Sequence, residues 1–409
     1  MLTPGDLDLS FATGGKLELV FPGSSNYLAQ SVMFSASGKL MLSWANDRPK
    51  FGSAQGFYGM ECLNKDGTPD TSFGEGGYVH DRFVEREDVL PSAGQQTLQM
   101  SDGHYLLFGT FKNSNNCYIP CLAMYTKEGH LDESFGQKGK FVFDDPISTG
   151  PYNSQFAWAS FQSSEHIMIA YQRTFGVDDW ANVLVRVTTS GHVDSTFNDN
   201  KGEAIARPSP GENCNCLGIA IQPDLKILVY GQSESGDAFI QRFESNGQID
   251  TGFADSGVYR RPDWKINHLM VQPDEKLLLC GESENTALLV RLNADASFDQ
   301  HFNEGKPNLT PLGEDSRWSK VALHNNGQIV TIGSNTPFMS GTSVLGRFQS
   351  DGKLDEGFGK GTGWVATDYG LGVSQPIDLA LDMRGFIYVL GKHQGLAVQP
   401  DLLLLRYID

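Results

Sequence analysis

Positive charge is scarce in this sequence. The 409 residues include 31 lysines and arginines against 49 aspartates and glutamates, which gives a formal net charge of −18, and no run of basic residues is longer than two. Nucleic acids and anionic membranes are bound through clustered lysine and arginine side chains. We therefore expect no nucleic-acid partner and no membrane attachment.

Long hydrophobic segments and a cysteine framework are also missing. No apolar stretch approaches the ~20 residues of a membrane-spanning helix. The first residues, Met1 to Asp6, lack the basic and apolar regions of a secretory signal. The 6 cysteines are not spaced like a disulfide framework. These absences predict a reduced, cytoplasmic protein, with export that does not use such a signal as the alternative.

Glycine, in contrast, is abundant, and it marks a repeat. The chain has 46 glycines, and the pattern Asp-x-x-Phe occurs seven times at intervals of 49 to 62 residues. The motif aspartates are Asp8, Asp70, Asp132, Asp194, Asp250, Asp299 and Asp355. A glycine stands three residues before six of them, and Ala296 takes that place before the sixth. One unit is therefore repeated along the chain.

Between the motifs, each unit has an apolar strand, a tight turn and a second apolar strand. The turns include Ser37-Gly38-Lys39, Asp102-Gly103-His104 and Asn326-Gly327-Gln328, and no helical period extends beyond two turns. Each unit is typical of four short strands joined by turns. Seven units of about 58 residues predict an all-β fold: one domain over residues 1–409, a seven-bladed β-propeller with four antiparallel strands per blade.

The repeat resembles the bacterial delta-60 repeat family, whose units carry an Asp-Gly-Lys-type turn followed by a Gly-x-x-Asp-x-x-Phe-Gly motif. The resemblance extends from Gly5 to Tyr407. It implies the propeller fold and little about activity, since the family is defined by its repeat. This chain departs from the pattern at Ala296 and at turn positions Glu165, Leu225 and Glu275, where glycine is missing.

The recurring aspartate and phenylalanine predict a structural role in every blade. The carboxylate can accept backbone hydrogen bonds in the turn, and the ring can fill the space between neighbouring blades. A calcium loop is the alternative. It is disfavoured because the residue four before the aspartate varies widely and includes Pro4, Ser190 and Asn246.

An arginine stands eight residues before four of the motif aspartates, and we interpret it as an ion-pair or stacking partner within the blade. These arginines are Arg186, Arg242, Arg291 and Arg347, and Arg406 is expected to take the same place in the last blade. The first two blades have Cys62 and Met124 at this position.

The two ends of the sequence complement each other. Residues 5–15 carry a motif with no strand before it, and the strand from Leu402 to Tyr407 has no motif after it. We predict that the N-terminal motif pairs with the last blade and closes the ring.

Recognisable catalytic motifs are absent, so the chemistry must be sought among single residues. Six of the nine histidines occupy repeat positions, which leaves His80, His268 and His393 as candidates for a general base in a lyase or hydrolase at the mouth of the channel. Cys214 with Cys216, and Cys117 with Cys121, are weak candidates for soft metal ligands. We expect no metal and no cofactor.

The face that carries the longer, irregular connections is the expected binding face, because function concentrates in variable loops on a rigid scaffold. Tryptophan and arginine are enriched at binding hot spots. The candidate residues are Arg86, Arg173, Asp178, Asp179, Trp180, Arg260, Trp264, Arg317, Trp318 and Tyr369. The leading hypothesis is a monomeric, non-catalytic module that binds a protein or a glycan. A lyase or hydrolase and a purely structural assembly module are the alternatives.

Overall fold

The computed structural model describes residues 2–21, 27–46, 56–84, 92–112, 118–143, 157–176, 178–335, 342–369, 373–382, 384–394 and 401–409. These residues form an all-β protein. Its helical pieces are single turns at Phe197–Asn200, Asn303–Gly305 and Gly359–Gly361. Among the described residues, no helix has the length and apolar character needed to cross a membrane.

The strands are short and follow one another at regular intervals. Those of the first half are β1 (Lys16–Glu18), β2 (Tyr27–Phe34), β3 (Leu40–Asn46), β4 (Tyr58–Leu63), β5 (Tyr78–Asp81), β6 (Ser92–Gln99), β7 (Tyr105–Lys112), β8 (Tyr118–Tyr125), β9 (Lys140–Val142), β10 (Ala157–Phe161), β11 (His166–Gly176), β12 (Asp179–Thr188) and β13 (Glu203–Ala206). Those of the second half are β14 (Cys214–Ile221), β15 (Ile227–Ser233), β16 (Ala238–Phe243), β17 (Val258–Arg261), β18 (Trp264–Val271), β19 (Leu277–Ser283), β20 (Thr286–Leu292), β21 (Asn308–Thr310), β22 (Arg317–Leu323), β23 (Ile329–Ser334), β24 (Ser343–Phe348), β25 (Trp364–Thr367), β26 (Val373–Asp382), β27 (Phe386–Gln394) and β28 (Asp401–Ile408).

The chain divides into two compact units. Unit 1 comprises Met1–Met41, Leu63–Thr68 and Asn267–Asp409, and unit 2 comprises Leu42–Cys62 and Pro69–Ile266. Unit 1 holds three four-stranded sheets, except for Trp264 to Ile266 at the start of β18, which fall in unit 2. Their strand orders are β18-β19-β20-β21, β22-β23-β24-β25 and β1-β28-β27-β26. In the last of these, the N-terminal β1 is the outer strand and pairs antiparallel with β28.

Unit 2 repeats the same four-stranded plan. Two of its sheets have the strand orders β10-β11-β12-β13 and β14-β15-β16-β17. A longer sheet runs β5-β4-β3-β6-β7-β8-β9, and within its described residues β3 meets β6 at the pair Ala45 and Ala93. The antiparallel, four-stranded arrangement expected from the repeat is therefore confirmed. The number of seven blades stays a prediction.

The tight turns explain where the strands end. The turn glycines Gly38, Gly103 and Gly327 have φ of 75°, 94° and 85°, a left-handed conformation that glycine adopts without steric cost. At two turn positions without glycine, Leu225 and Glu275 adopt φ of 67° all the same. At these two positions the residue is changed and the left-handed backbone of the turn is kept.

The hydrophobic core lies between successive sheets. In unit 2, one cluster packs Leu106 and Phe108 of β7 against Ile169 of β11 and Val185 of β12. In unit 1, a cluster of the same kind joins β19 and β20 to β22, β23 and β24, with Trp318 fully buried within it. A second cluster packs Met168 and Ala170 on the other face of β11 against Val229 of β15. That sheet is therefore apolar on both faces, which explains the nearly continuous apolar run of its central strand.

Candidate functional site

The repeated aspartate forms an ion pair in every repeat that has the arginine. The Nε of Arg186, Arg242, Arg291 and Arg347 lies 2.7 to 2.8 Å from Oδ2 of the motif aspartate eight residues later. In the last sheet, Nη2 of Arg406 lies 2.6 Å from Oδ2 of Asp8. The interpretation of this arginine as a structural ion-pair partner is confirmed.

The same arginine covers the motif phenylalanine. The guanidinium carbons of these arginines lie 4.5 to 4.9 Å from the ring centroids of Phe197, Phe253, Phe302, Phe358 and Phe11. Oδ1 of the aspartate accepts the backbone N–H two residues later, as Asp194 does from Thr196 at 2.9 Å. The carboxylate is thus held by hydrogen-bond donors in the blade, which accounts for its recurrence without a bound ion.

Each phenylalanine also fixes the next repeat. A Cβ added to Gly352 would lie 2.5 Å from the Phe302 ring, and one added to Gly247 would lie 2.5 Å from the Phe197 ring. Next to the ring, the N–H of Asn303 donates to the carbonyl of Asp351 at 2.7 Å. Glycine is therefore favoured at this place both for its φ and for close approach of the preceding phenylalanine, although Ala296 adopts a φ of 71° in one repeat.

The N-terminal motif is built into the last sheet of unit 1. The N–H of Gly5 donates to the carbonyl of Ile408 at 2.8 Å, and the N–H of Arg406 donates to the carbonyl of Gly15 at 3.0 Å. Phe11 is fully buried. The contact between this segment and β28 follows the sequence expectation, whereas closure of a ring by it stays a prediction.

Three connections of unit 2 meet at Asn213, a buried residue just before β14. Its Oδ1 accepts the N–H of Trp180 at 2.9 Å, and its Nδ2 donates to the carbonyl of Asp178 and to Oε2 of Glu234, both at 3.0 Å. Asp178 lies in the connection β11–β12, Trp180 is the second residue of β12, and Glu234 lies in the connection β15–β16. We name residues 178–180, 207–213, 234–237 and Arg260 the Asn213 loop cluster.

Arg260 ties two of these connections together. Its guanidinium makes two hydrogen bonds of 2.8 Å to Glu212 and one of 2.9 Å to Asp237. The hydrogen bonds to Glu212 raise the pKa of Arg260 against the opposing effect of burial. Arg207 pairs with Asp179 at 2.6 Å. The loops are therefore held in one arrangement by charge-assisted hydrogen bonds.

Polar side chains remain exposed at the rim of the cluster. Asp178 and Glu234 are exposed, Trp180 is half-buried, and the side chain of Asp179 is 47% exposed. Asp178 has a φ of 57°, which aspartate and asparagine tolerate better than other side chains do. Asp178, Asp179, Trp180 and Arg260 are the predicted residues that the structure brings together.

Four other predicted binding residues are not on the surface. Trp318 is fully buried, and Trp264, Tyr369 and Arg173 are 9%, 7% and 2% exposed. The exposure expected for them is wrong.

These buried side chains have partners inside the fold. Trp264 opens β18 and Trp318 lies in β22. Tyr369 donates from its hydroxyl to Ser343 at 2.6 Å, and Arg173 donates to both carboxylate oxygens of Glu203 at 2.7 to 2.8 Å. Arg317 is half-buried at the start of β22, and Arg86 lies outside the described residues.

The candidate general bases lie on three different sheets. His80 of β5 is exposed and stacks on Tyr78 at 5.8 Å. Burial and the charge of Lys320 lower the pKa of His268 of β18, whose Nδ1 accepts the N–H of Val321 at 3.4 Å. His393 of β27 is buried.

Two titratable features were not foreseen. Nε2 of His324 lies 3.0 Å from Oδ2 of Asp409, which Arg347 also contacts at 3.1 Å. Burial alone would raise the pKa of Asp409, but these two partners lower it. Burial raises the pKa of Glu61 on β4 to about 7. Neither feature has a sequence signal, because each depends on how strands distant in sequence pack.

The cysteines of the described residues are buried thiols. Within the described part of the chain, Cys62, Cys121, Cys214, Cys216 and Cys280 are not disulfide-bonded, and burial raises the pKa of Cys214 to about 12. Within the described ranges, no three metal-ligating side chains cluster. Cys117 lies outside those ranges.

Two parts of the chain match a known family model. Residues 222–253 and 272–302 match a family described as a domain of unknown function (DUF5122) that forms a β-propeller. No curated protein matches the sequence significantly. The matched residues fall on two successive repeats and each ends in an Asp-x-x-Phe motif.

Solved structures are similar only in outline. A protein of unknown function from Dyadobacter fermentans has a TM-score of 0.46 and 12% identity, over 97% of this chain and all of that one. An α-L-arabinofuranosidase from Fusarium graminearum has a TM-score of 0.47 and 8% identity, over 85% of this chain and 97% of that one. Prolyl oligopeptidase B from Galerina marginata has a TM-score of 0.49 and 10% identity, over 94% of this chain and 52% of that one.

At these scores and identities, the solved structures say nothing about the activity of this chain. The repeat match and the four-stranded antiparallel sheets agree with each other. The chain is thus an all-β protein whose successive repeats are similar to a family of β-propellers.

Proposed function

We propose that this chain is a non-catalytic binding module and that the Asn213 loop cluster recognises a protein partner carrying basic groups. The observation that supports this is the bracing of three connections around Asn213, which leaves Asp178, Asp179 and Trp180 at the rim. Such a surface is ordered before binding, so little conformational entropy is lost when a partner docks.

The composition of the rim favours a protein over a glycan. Sugar rings are held on exposed aromatic faces, but Trp264 is buried and Trp180 is half-buried. The rim instead carries exposed carboxylates at Asp178 and Glu234, and the sequence as a whole is acidic. A basic partner would meet complementary charge, which speeds association and selects against acidic partners.

The arrangement of charges also favours binding over catalysis. Arg207 and Arg260 are engaged by Asp179, Glu212 and Asp237, and the candidate bases lie on other strands. These carboxylates support the shape of the loops. A lyase or hydrolase activity is the alternative, and the experiment described below would detect it as chemical turnover.

For the chain as a whole, we propose a monomeric, cytoplasmic propeller of seven blades over residues 1–409, related to the delta-60 repeat proteins. The seven motifs and the pairing of β1 with β28 support this proposal. Light scattering and electron microscopy of the purified chain test the oligomeric state and the blade count.

The binding proposal is tested with a tiled array of lysine-rich peptides that contain no arginine and with a glycan array, both probed with the purified chain. Asp178→Asn removes one charge and tolerates the same left-handed backbone, and Trp180→Ala removes the ring. We expect the double variant to bind positive peptides at least tenfold more weakly. Glu133→Ala removes an exposed carboxylate elsewhere in unit 2 and should bind like the unaltered chain.

Three outcomes would contradict the proposal. Equal binding by the double variant would exclude the Asn213 loop cluster as the binding surface. Hits on the glycan array alone would replace the protein partner by a glycan. Chemical turnover of an arrayed compound would support an enzyme instead.

A further inference from the structure

Two successive repeats of unit 2 carry a cavity at equivalent positions. The first, of about 300 Å³, has a lining that includes Met100, Asp102, His104, Met124, Asp132 and Phe135. The second, of about 380 Å³, has a lining that includes Gln162, His166, Arg186 and Ser245. Met100, His104 and Met124 correspond to Gln162, His166 and Arg186, 62 residues later.

In the second cavity, Arg186 covers the motif residues. Its Nε lies 2.8 Å from Oδ2 of Asp194, its Nη1 donates to the carbonyl of Ser245 at 2.8 Å, and its guanidinium lies 4.9 Å from the Phe197 ring centroid. Gln162 donates to the same Ser245 carbonyl at 2.9 Å. A carboxylate, a carbonyl and an aromatic face thus hold one guanidinium.

The first cavity keeps the motif aspartate and phenylalanine, as Asp132 and Phe135, but has Met124 at the position of the arginine. Met124 and Met100 stand in place of Arg186 and Gln162, and neither thioether can donate a hydrogen bond. Asp132 and Phe135 therefore line the first cavity, whereas Asp194 and Phe197 are not part of the lining of the second. The side chain of Asp132 is 27% exposed, against 11% for Asp194.

The Asp132 carboxylate keeps the orientation that receives a cation in the neighbouring repeat. Its Oδ1 accepts the N–H and the hydroxyl of Ser134 at 3.1 and 2.6 Å, as Asp194 does from Thr196 at 2.9 and 2.6 Å. Its Oδ2 has Nε2 of His104 at 3.7 Å, beyond hydrogen-bonding distance. Asp102, 3.1 Å from Nδ1 of His104, adds a second carboxylate to the lining.

We propose that this cavity, which we name the Met124 cavity, binds an alkylguanidinium group. The ligand is either a small free guanidino compound or the arginine side chain of a peptide. Its planar head would pair with Oδ2 of Asp132 and lie over Phe135, as Arg186 does on Asp194 and Phe197. The thioethers of Met100 and Met124 would contact its alkyl chain. This site does not depend on the Asn213 loop cluster.

The experiment is isothermal titration of the full chain with agmatine and, separately, with an end-blocked peptide containing one arginine. We expect saturable binding with one site per chain. Met124→Arg places in the cavity the side chain that five other repeats carry, so it should abolish binding while thermal melting shows an intact fold. Asp132→Asn should weaken binding at least tenfold.

A converse variant makes the test sharper. Arg186→Met should open the second cavity and raise the stoichiometry from one site to two. Binding of both probes, or of only one, identifies the source of the guanidinium and supports the proposal in either case. No binding of either probe at millimolar concentration, or unchanged binding by a folded Met124→Arg variant, would overturn it.

Discussion

Replacing Asp299 with asparagine should destabilise the protein by an amount that depends on pH. Asp299 is 3% exposed, and its Oδ2 lies 2.7 Å from Nε of Arg291 and 3.3 Å from Nζ of Lys276. Burial opposes its ionisation, but the N–H of His301 and the Arg291 guanidinium outweigh burial and lower its pKa from 3.8 to about 2. Folding therefore stabilises the ionised form of the Asp299 carboxyl group relative to its protonated form.

The magnitude follows from that difference. At ~1.4 kcal/mol per pH unit, the fall from 3.8 to about 2 corresponds to about 2 kcal/mol of stability. Because the folded pKa is depressed, this contribution is complete above about pH 4 and is lost as the pH falls toward about 2. Asparagine keeps the shape of the side chain and removes the charge, so it mimics the protonated state.

Urea unfolding, followed by tryptophan fluorescence, measures the effect at several pH values. Asp299→Asn should lower the free energy of unfolding by about 2 kcal/mol at neutral pH, and the difference from the unaltered chain should shrink steadily below pH ~4. Glu356→Gln, which removes an exposed charge in unit 1, should change little. An effect of equal size at every pH would refute the ion-pair reasoning.

Two further predictions concern closure of the last sheet and the packing of β4. Deleting residues 2–14 removes the fully buried Phe11 and the backbone hydrogen bonds to β28, so differential scanning calorimetry should show a clearly lower melting temperature; an unchanged temperature would exclude the stabilising role of this segment. Gly59→Ala would place a Cβ about 2.1 Å from the Trp44 ring, and urea unfolding should show a loss of about 1–3 kcal/mol from overpacking; a variant as stable as the unaltered chain would mean that the ring moves away freely.

The repeat made most of the fold predictable. The spacing of the motif aspartates indicated four-stranded units. The arginine eight residues earlier indicated an ion pair with the motif aspartate, because the two residues recur together from repeat to repeat. The merging of two four-stranded groups through Ala45 and Ala93 left no trace in the pattern, since a single residue pair carries it among the described residues.

The site was predicted less well, for a physical reason. Trp264 and Trp318 follow irregular connections and were assigned to them, but they are already strand residues with buried side chains. Trp318 packs in the core between two sheets. Asn213 was missed because a polar residue in a connection has no distinguishing pattern. Its importance comes from three connections that only folding brings together. The Met124 position was visible as a departure from the arginine pattern, but the cavity beside it was not.

The contact between each phenylalanine and the following glycine has a consequence for protein engineering. The segment between two sequence motifs is not an independent folding unit, because the ring of its phenylalanine packs against the next repeat. A graft that exchanges one repeat between two such proteins must match the ring of the donor to the glycine of the recipient, as Phe302 is matched to Gly352. Chimaeras cut in the middle of a strand hairpin, with each ring and its downstream glycine kept from one parent, should fold more readily than those cut between them.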